Sequence, residues 1–558
     1  MDAARITVYS ARRIHTLDPA RPAATHVAVR DGRVLGVGTL EDLSGWGPHD
    51  LDERFAGQVL LPGLVEGHSH LMAGGMWRYV YCGAHDAHDP DGMAVEGLRS
   101  LPAVQARLRQ RAQADPGGGV VAGWGLDPLH LGLPRITRHD LDVVSADRPV
   151  AVLHGSGHVL YANSAALRQV DLLRAGLEHP GIPLGADGLP AGELKGPEAM
   201  TPALMAFGIG RLFLAGEASG IRAFGRLGVR AGVTTATDLG ASLAEADVAT
   251  LRQVTDDDAY PLRLVSALRS LGLQPADAVE RALALRALST ERLRLGLIKI
   301  VADGSIQGFS ARLRWPGYHN GAPNGLWYVP PQTVRQTFEL ALKHGVQVHV
   351  HTNGDEAVDM VLDAMEGALG VHYAPDHRFT LQHCQLADAA QFRRMRALGM
   401  CANLFVNHVF YWGEAHRAST VGPDRAERMN ACRTALDSGV AFSMHSDAPI
   451  TPMAPLFTAW CAVNRLTHAG RVLGEHQRIS VAAALQAVTL GAARTLKLDH
   501  EIGSIEVGKR ADFCVLDDDP FEIAPERLKD VPVWGTVLGG RPFAAARASS
   551  PVPATGAA

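Results

Sequence analysis

The sequence predicts an α/β protein, a βα-repeat barrel joined to a small β-sandwich built from both chain ends. Three observations lead there. Through the middle of the chain, short apolar strand-like runs alternate with amphipathic helical runs, the sequence habit of a βα-repeat barrel. The two ends share a different, short and β-rich texture. Histidines and an aspartate recur where the strand-like runs end, the face on which parallel barrels place their chemistry. A chain of 558 residues is also too long for one simple core. The expected division is 1–62 with 497–547 as the composite sandwich and 63–496 as the barrel, carrying an insertion near 75–216. Small, Pro-containing residues at 548–558 read as a disordered tail.

Taken in order, Ile6–Tyr9 and Val27–Arg30 are candidate strands, and Asp31-Gly32 before Val34–Val37 is a hairpin signal. Val59–Val65 reads as one short buried strand interrupted by Pro62-Gly63. Further strands are expected at Val150–His154, Val233–Asp238, Leu295–Val301, Val346–His351, Phe379–His383, Met400–Leu404 and Val440–His445. Helical runs are expected at Thr333–His344, Glu356–Ala368 and Ala387–Leu398. Phe513–Leu516 and Val533–Leu538 return to the β-rich texture.

Composition narrows the function. Lys+Arg 53 against Asp+Glu 58 gives a formal charge of −5, so no polybasic surface calls for nucleic acid or acidic lipid. No uninterrupted apolar run reaches membrane-spanning length. The six scattered cysteines contain no C-x-x-C pair, which argues against a disulfide framework and against a cysteine zinc site. Met1–Arg5 leads into strand-like sequence rather than an apolar leader core, so a cytoplasmic location is expected. A small-molecule substrate is the expected partner, and a homo-oligomer is compatible with the sequence.

The chemistry centres on L-L-P-G-L-V-E-G-H-S-H-L-M, Leu60–Met72. His68 and His70 lie two apart at the end of a buried run, so on extended backbone both imidazoles face one side. That arrangement suits a divalent metal, although two polar loop histidines would look the same. Four further stretches offer partners. Lys299 lies inside an apolar strand, where an unpaired ammonium is costly; pairing with Asp303 or snorkelling to the rim is its ordinary alternative. His349 and His351 form a second His-x-His, with His349 deeper and better suited to a satisfied core position. His383 and Asp447 end two more strands, where packing and turn-capping are the plainer explanations. Joint recurrence at one kind of position favours a site.

The stretches L-P-G-L-V-E-G-H-S-H, K-I-V-A-D-G-S, V-H-T-N-G-D, L-Q-H-C-Q, S-D-A-P and G-S-I-E-V-G-K-R-A-D-F resemble the amidohydrolase superfamily. The closer resemblance is to its amidohydrolase-3 branch, which includes N-substituted formamide deformylases. The resemblance spans residues from near 60 to near 515. It implies a distorted (β/α)₈ TIM-type barrel with a β-sandwich from both termini. It also implies metal and catalytic positions at His68, His70, His351, His383 and Asp447, and at Lys299 a lysine that can become a carbamate bridging two metals. After D-G-S the chain departs from the branch with Ile306–Trp315, near where substrate would sit, so the resemblance does not fix the substrate.

Imidazoles and carboxylates suit Zn²⁺, with Mn²⁺, Fe²⁺ or Co²⁺ as alternatives, bound as one or two ions. Such an ion lowers the pKa of its water to about 7 and polarises a carbonyl. Asp447 is the expected base, and His383 a ligand that also helps hold the oxyanion. His158 and Asn163, in G-H-V-L-Y-A-N-S, are candidate substrate contacts, with a helix cap and a surface histidine as the alternative. Arg314 and Trp315, with Trp327, His408, Tyr411 and Trp412, are candidate pocket walls, predicting a site with aromatic walls, few charges and a neutral or aryl-bearing substrate. Hydrolysis of an amide-like C–N bond, N-acyl or N-formyl, leads. Ester, lactone or carbamate hydrolysis, deamination and decarboxylation would use the same site. A binding protein without catalysis would not need Asp447 and both histidine pairs.

Overall fold

The computed structural model describes residues 5–210 and 217–546, so the tail expected at 548–558 lies outside them. Eight parallel strands form the central sheet. They are β1 (Leu64–Glu66), β2 (Val233–Ala241), β3 (Arg263–Arg269), β4 (Leu293–Val301), β5 (Val348–Thr352), β6 (Thr380–His383), β7 (Cys401–Leu404) and β8 (Ala441–Met444). Each pairs with its sequence neighbour, in the order β1 to β8. Just past their ends β8 meets β1: the Asp447 N–H donates to the His68 carbonyl at 3.0 Å, and the His70 N–H to the Ala448 carbonyl at 2.8 Å. The result is a nearly closed barrel. Glu66 fills the seam, accepting from the Ser446 N–H at 3.0 Å and the Ser446 hydroxyl at 2.7 Å.

The helices cover the barrel as their patterns dictate. Asp355–Leu369 buries Val358, Val361, Leu362 and Met365, one stripe at helical spacing. Pro331–His344 starts on proline and stops at Gly345, whose φ of 62° supplies the left-handed residue that ends helices. Among the described residues no helix is long and apolar enough to cross a membrane.

The strand expected over Val59–Val65 is in fact two. Val59–Leu61 belong to the 14-residue strand His49–Pro62 of the terminal sheet, while Leu64–Glu66 open the barrel. Gly63 divides them because the barrel presses on it: a Cβ there would meet the Thr234 hydroxyl at 2.0 Å. Strand β3 went unpredicted because arginines at both ends, Arg263 and Arg269, mask its apolar centre. Val150–His154 is a strand outside the barrel. It lies mid-sheet in a five-stranded sheet formed within the insertion, ordered Glu193–Lys195, Val159–Ala162, Val150–His154, Val121–Leu126, Val80–Tyr81. Its alternate residues serve two cores, Val150 and Val152 packing in one and Ala151 and Leu153 in the other.

Both chain ends build one seven-stranded sheet rather than two separately bonded layers. Its order is Arg541–Ala544, Val533–Leu538, Phe513–Leu516, His49–Pro62, Ile6–His15, Ala23–Arg30, Arg33–Gly38. The sheet curls until its outer turns touch. Asp31 and Gly32, at φ 54° and 72°, make the expected two-residue hairpin, and a Cβ on Gly32 would lie 3.3 Å from the Gly539 carbonyl oxygen.

One buried ion pair bolts this sheet to the barrel. Arg263 of β3 donates to Asp512 at 3.0 Å, both side chains 3% exposed. Asp512 also accepts from the Gly539 N–H at 2.8 Å, and its carbonyl accepts from the Gly63 N–H at 2.9 Å. Asp512→Ala therefore strands a buried guanidinium, and stability should fall by about 3–5 kcal/mol, seen as a lower urea midpoint at unchanged slope. A loss under about 1 kcal/mol, the value of an exposed pair, would contradict this role.

Candidate metal centre

The barrel's carboxyl-terminal rim gathers the predicted residues. Nε2 of His68 lies 3.4 Å from Asp447 Oδ1, and Nε2 of His70 lies 3.3 Å from the same oxygen. Nδ1 of His383 lies 3.8 Å from Asp447 Oδ2. His68, His70 and Asp447 offer three ligand atoms within 4.8 Å of one another, and His68, His383 and His445 offer a second such set. His445, missed as a candidate, is buried and stacks on His68 at 4.7 Å. The signal was its spacing: His445 and Asp447 stand two apart, as His68 and His70 do.

His351 lies beside the cluster rather than in it. Its ring sits 4.4 Å from that of His383, but its Nε2 faces the Gly304 carbonyl at 3.2 Å and Asn353 Nδ2 at 3.0 Å. Lys299 is buried on β4, cross-strand from His349, and its Nζ has no hydrogen-bond partner. Both ring nitrogens of His383 and of His445 are likewise buried without hydrogen-bond partners among the described residues, and Asp447 Oδ1 has only the approaches of His68 and His70. Buried polar atoms are nearly always paired, so this concentration marks a place for a bound group. Neutral imidazole nitrogens, a carboxylate oxygen and an amine are the donor set of a divalent-metal site.

The electrostatics keep those donors available. Burial holds His68 and His383 well below the usual histidine range, reinforced at His68 by Lys299 and at His383 by His351 and His68. Burial also lowers Lys299 to about 7, against the pull of Asp447. Asp447 is pushed up by its burial, yet contact with His70 and the fields of His445 and Lys299 outweigh this and leave it below the ordinary carboxyl value. Neutral imidazoles with an ionised carboxylate are the protonation state that metal binding requires.

A hydrogen-bond chain sets the His68 tautomer. Gln382 Oε1 accepts from His68 Nδ1 at 2.7 Å and from Asn403 at 2.8 Å, while Gln382 Nε2 donates to His349 Nδ1 at 2.7 Å. With Nδ1 protonated, the lone pair of His68 is on Nε2, facing Asp447. His349 is thus held at depth through Nδ1, while its Nε2 is buried with no hydrogen-bond partner among the described residues. His383 and Asp447 adopt φ of 74° and 54°, a left-handed conformation that costs about 1–3 kcal/mol at a non-glycine residue and clusters at functional sites.

The pocket above this cluster, about 220 Å³, is lined by His158, Met200, Leu204, Leu239, Arg269 and Tyr328 among others. His158 thus faces it as expected. Three expected substrate contacts do not line it. Asn163 caps the helix Ser164–Gln169, accepting from the Ala166 N–H at 2.8 Å. Arg314 is drawn outward by Asp359 and by Asp388, the latter at 2.8 Å. That leaves Trp315 94% exposed. Tyr411 and Trp412 line an adjoining cavity of about 370 Å³ with Trp77, Tyr81 and Trp124. Trp327 instead lies under the Arg312 guanidinium at 4.9 Å. The aromatic walls therefore stand next door to the metal pocket.

Residues that orient ligands commonly change metal affinity by about 10–100-fold when replaced. Gln382→Leu should weaken metal binding by that factor in a chelator competition. Unchanged affinity would show that the His68 tautomer is set elsewhere.

Comparison with known proteins gives the family and the fold. "Protein LONG AFTER FAR-RED 3" of Arabidopsis thaliana is 28% identical over 95% of this chain and 90% of its own length. "N-substituted formamide deformylase" of Arthrobacter pascens is 28% identical over 94% and 96%. An uncharacterized metal-dependent hydrolase of Pyrococcus horikoshii shares the fold, with a TM-score of 0.71 at 20% identity over 93% of this chain and 99% of its own. Residues 56–544 match the sequence model of the amidohydrolase family, to which the chain therefore belongs.

Proposed function

We propose that the chain hydrolyses an amide-like C–N bond, N-acyl or N-formyl, of a small molecule. The observation that carries this reading is the convergence of neutral, unpartnered imidazole nitrogens on an ionised Asp447 at the barrel rim. A full-length resemblance to a formamide deformylase supports the bond class.

His68, His70, His383 and Asp447 would hold a divalent ion, Zn²⁺ first, with His445 and His351 beside them. Such an ion supplies a water with a pKa lowered to about 7 and polarises the substrate carbonyl. Asp447 takes the proton from the attacking water and returns it to the departing nitrogen. His383 helps hold the carbonyl oxygen as charge develops on it. Across the pocket His158 and the Tyr328 hydroxyl offer further donors.

Lys299 would react as its neutral amine with CO₂, forming an N–C bond and releasing a proton, to give a carbamate. That position would then carry a negative charge and offer two oxygens as further metal ligands. Burial that lowers the amine to about 7 favours this reaction at neutral pH.

Two variants test the assignment. Asp447→Asn keeps the shape and removes the base, so kcat on a responsive N-formyl or N-acyl substrate should fall by about 10²–10⁴; near wild-type turnover would place the proton elsewhere. Lys299→Ala should lose metal and activity together, with partial recovery of both on adding short carboxylic acids. Full metal content and activity in that variant would remove the carbamate.

A further inference from the structure

We propose that Arg269 binds a carboxylate on the substrate, so that the chain prefers anionic amides to neutral ones. This deepens the amide-hydrolase reading and rests on it.

Arg269 ends β3, paired in register with Lys299 on β4, and lines the metal pocket between the apolar side chains of Leu239 and Leu271. Adjacent strands lie about 4.8 Å apart, so the two basic side chains start next to each other. Arg269 is half-buried, yet among the described residues its guanidinium has no ion pair or hydrogen bond. Burial moves its pKa downward, and among the described residues no carboxylate is close enough to hold it up. Other buried and partly buried arginines here are committed. Arg425 pairs with Asp355, Arg378 with Asp499, and Arg263 with Asp512.

The charge balance points the same way. Among the described residues, the pocket lining contains Arg269 and Lys299 against a single carboxylate, Asp447. A divalent ion adds positive charge, and a carbamate at Lys299 offsets only part of it. With a divalent ion bound, the pocket would keep an excess of positive charge with or without the carbamate. A planar guanidinium with apolar flanks is matched bidentately by a carboxylate, and the low local dielectric strengthens that pair. The expectation of a neutral, aryl-bearing substrate relied on residues that lie outside this pocket.

The test measures binding, so it does not depend on turnover. Calorimetric titration of Asp447→Asn protein with N-formylphenylalanine and with N-formylphenylalaninamide compares ligands that differ in one charge. The carboxylate should bind at least about tenfold more tightly, the range of a charge-assisted hydrogen bond. Adding Arg269→Met should collapse the ratio to near one, and Arg269→Lys should restore part of it. Benzoate and acetate against their amides repeat the comparison without the N-formyl group. Equal affinities in every matched pair, no carboxylate binding at all, or a preference that survives Arg269→Met would each overturn the proposal. Arg269-dependent carboxylate binding with no hydrolysis of any amide by the wild-type protein would leave this assignment standing and remove the amide-hydrolase reading.

Discussion

The closure of the barrel between its first and last strands is the constraint on which the site depends. Strand β1 is only three residues long, too short to register firmly by itself. The seam is held just beyond it, where Asp447 and Ala448 exchange backbone hydrogen bonds with His68 and His70. Glu66 locks the same junction through two bonds to Ser446. Burial raises Glu66 to about 7, opposed by those bonds, so the junction includes a carboxyl group tolerated only because it is satisfied. One set of contacts thus closes the barrel and brings His68 and His70 to Asp447.

Burial explains why that arrangement has chemical use. A buried imidazole cannot easily carry charge, and several together repel each other's protons. The cluster is therefore neutral, and its lone pairs stay free for a cation. Each strained or unpartnered feature here is unfavourable in the protein alone: the left-handed His383 and Asp447, the lone Lys299 amine, the idle ring nitrogens of His445. Binding a divalent cation would satisfy several of them at once. The hydrogen-bond chain through Gln382, Asn403 and His349 keeps the donors aimed correctly in the meantime.

Much of this was legible in the sequence. His68, His70, His383 and Asp447 were identifiable because ligands at strand ends leave a local signature, an apolar run followed by polar residues at strand spacing. The barrel strands followed from the same pattern, apart from β3, whose buried Arg263 pairs with Asp512 almost 250 residues away in sequence. Such partners leave no local trace. The same applies to Arg314, which reads as a pocket residue until its links to Asp359 and Asp388 are seen. Val150–His154 has the texture of a barrel strand because burial on both faces produces it in any sheet. Arg269 was unreadable for the opposite reason: among the described residues it has no partner, and only three dimensions show that.

The central claim, that this rim binds a catalytic divalent cation, is tested most directly by anomalous diffraction from crystals of active protein at the metal absorption edge. The account predicts one or two anomalous peaks within about 2.0–2.2 Å of ligand nitrogens and oxygens of His68, His70, His383 and Asp447. Active crystals with no anomalous peak at that cluster would contradict it.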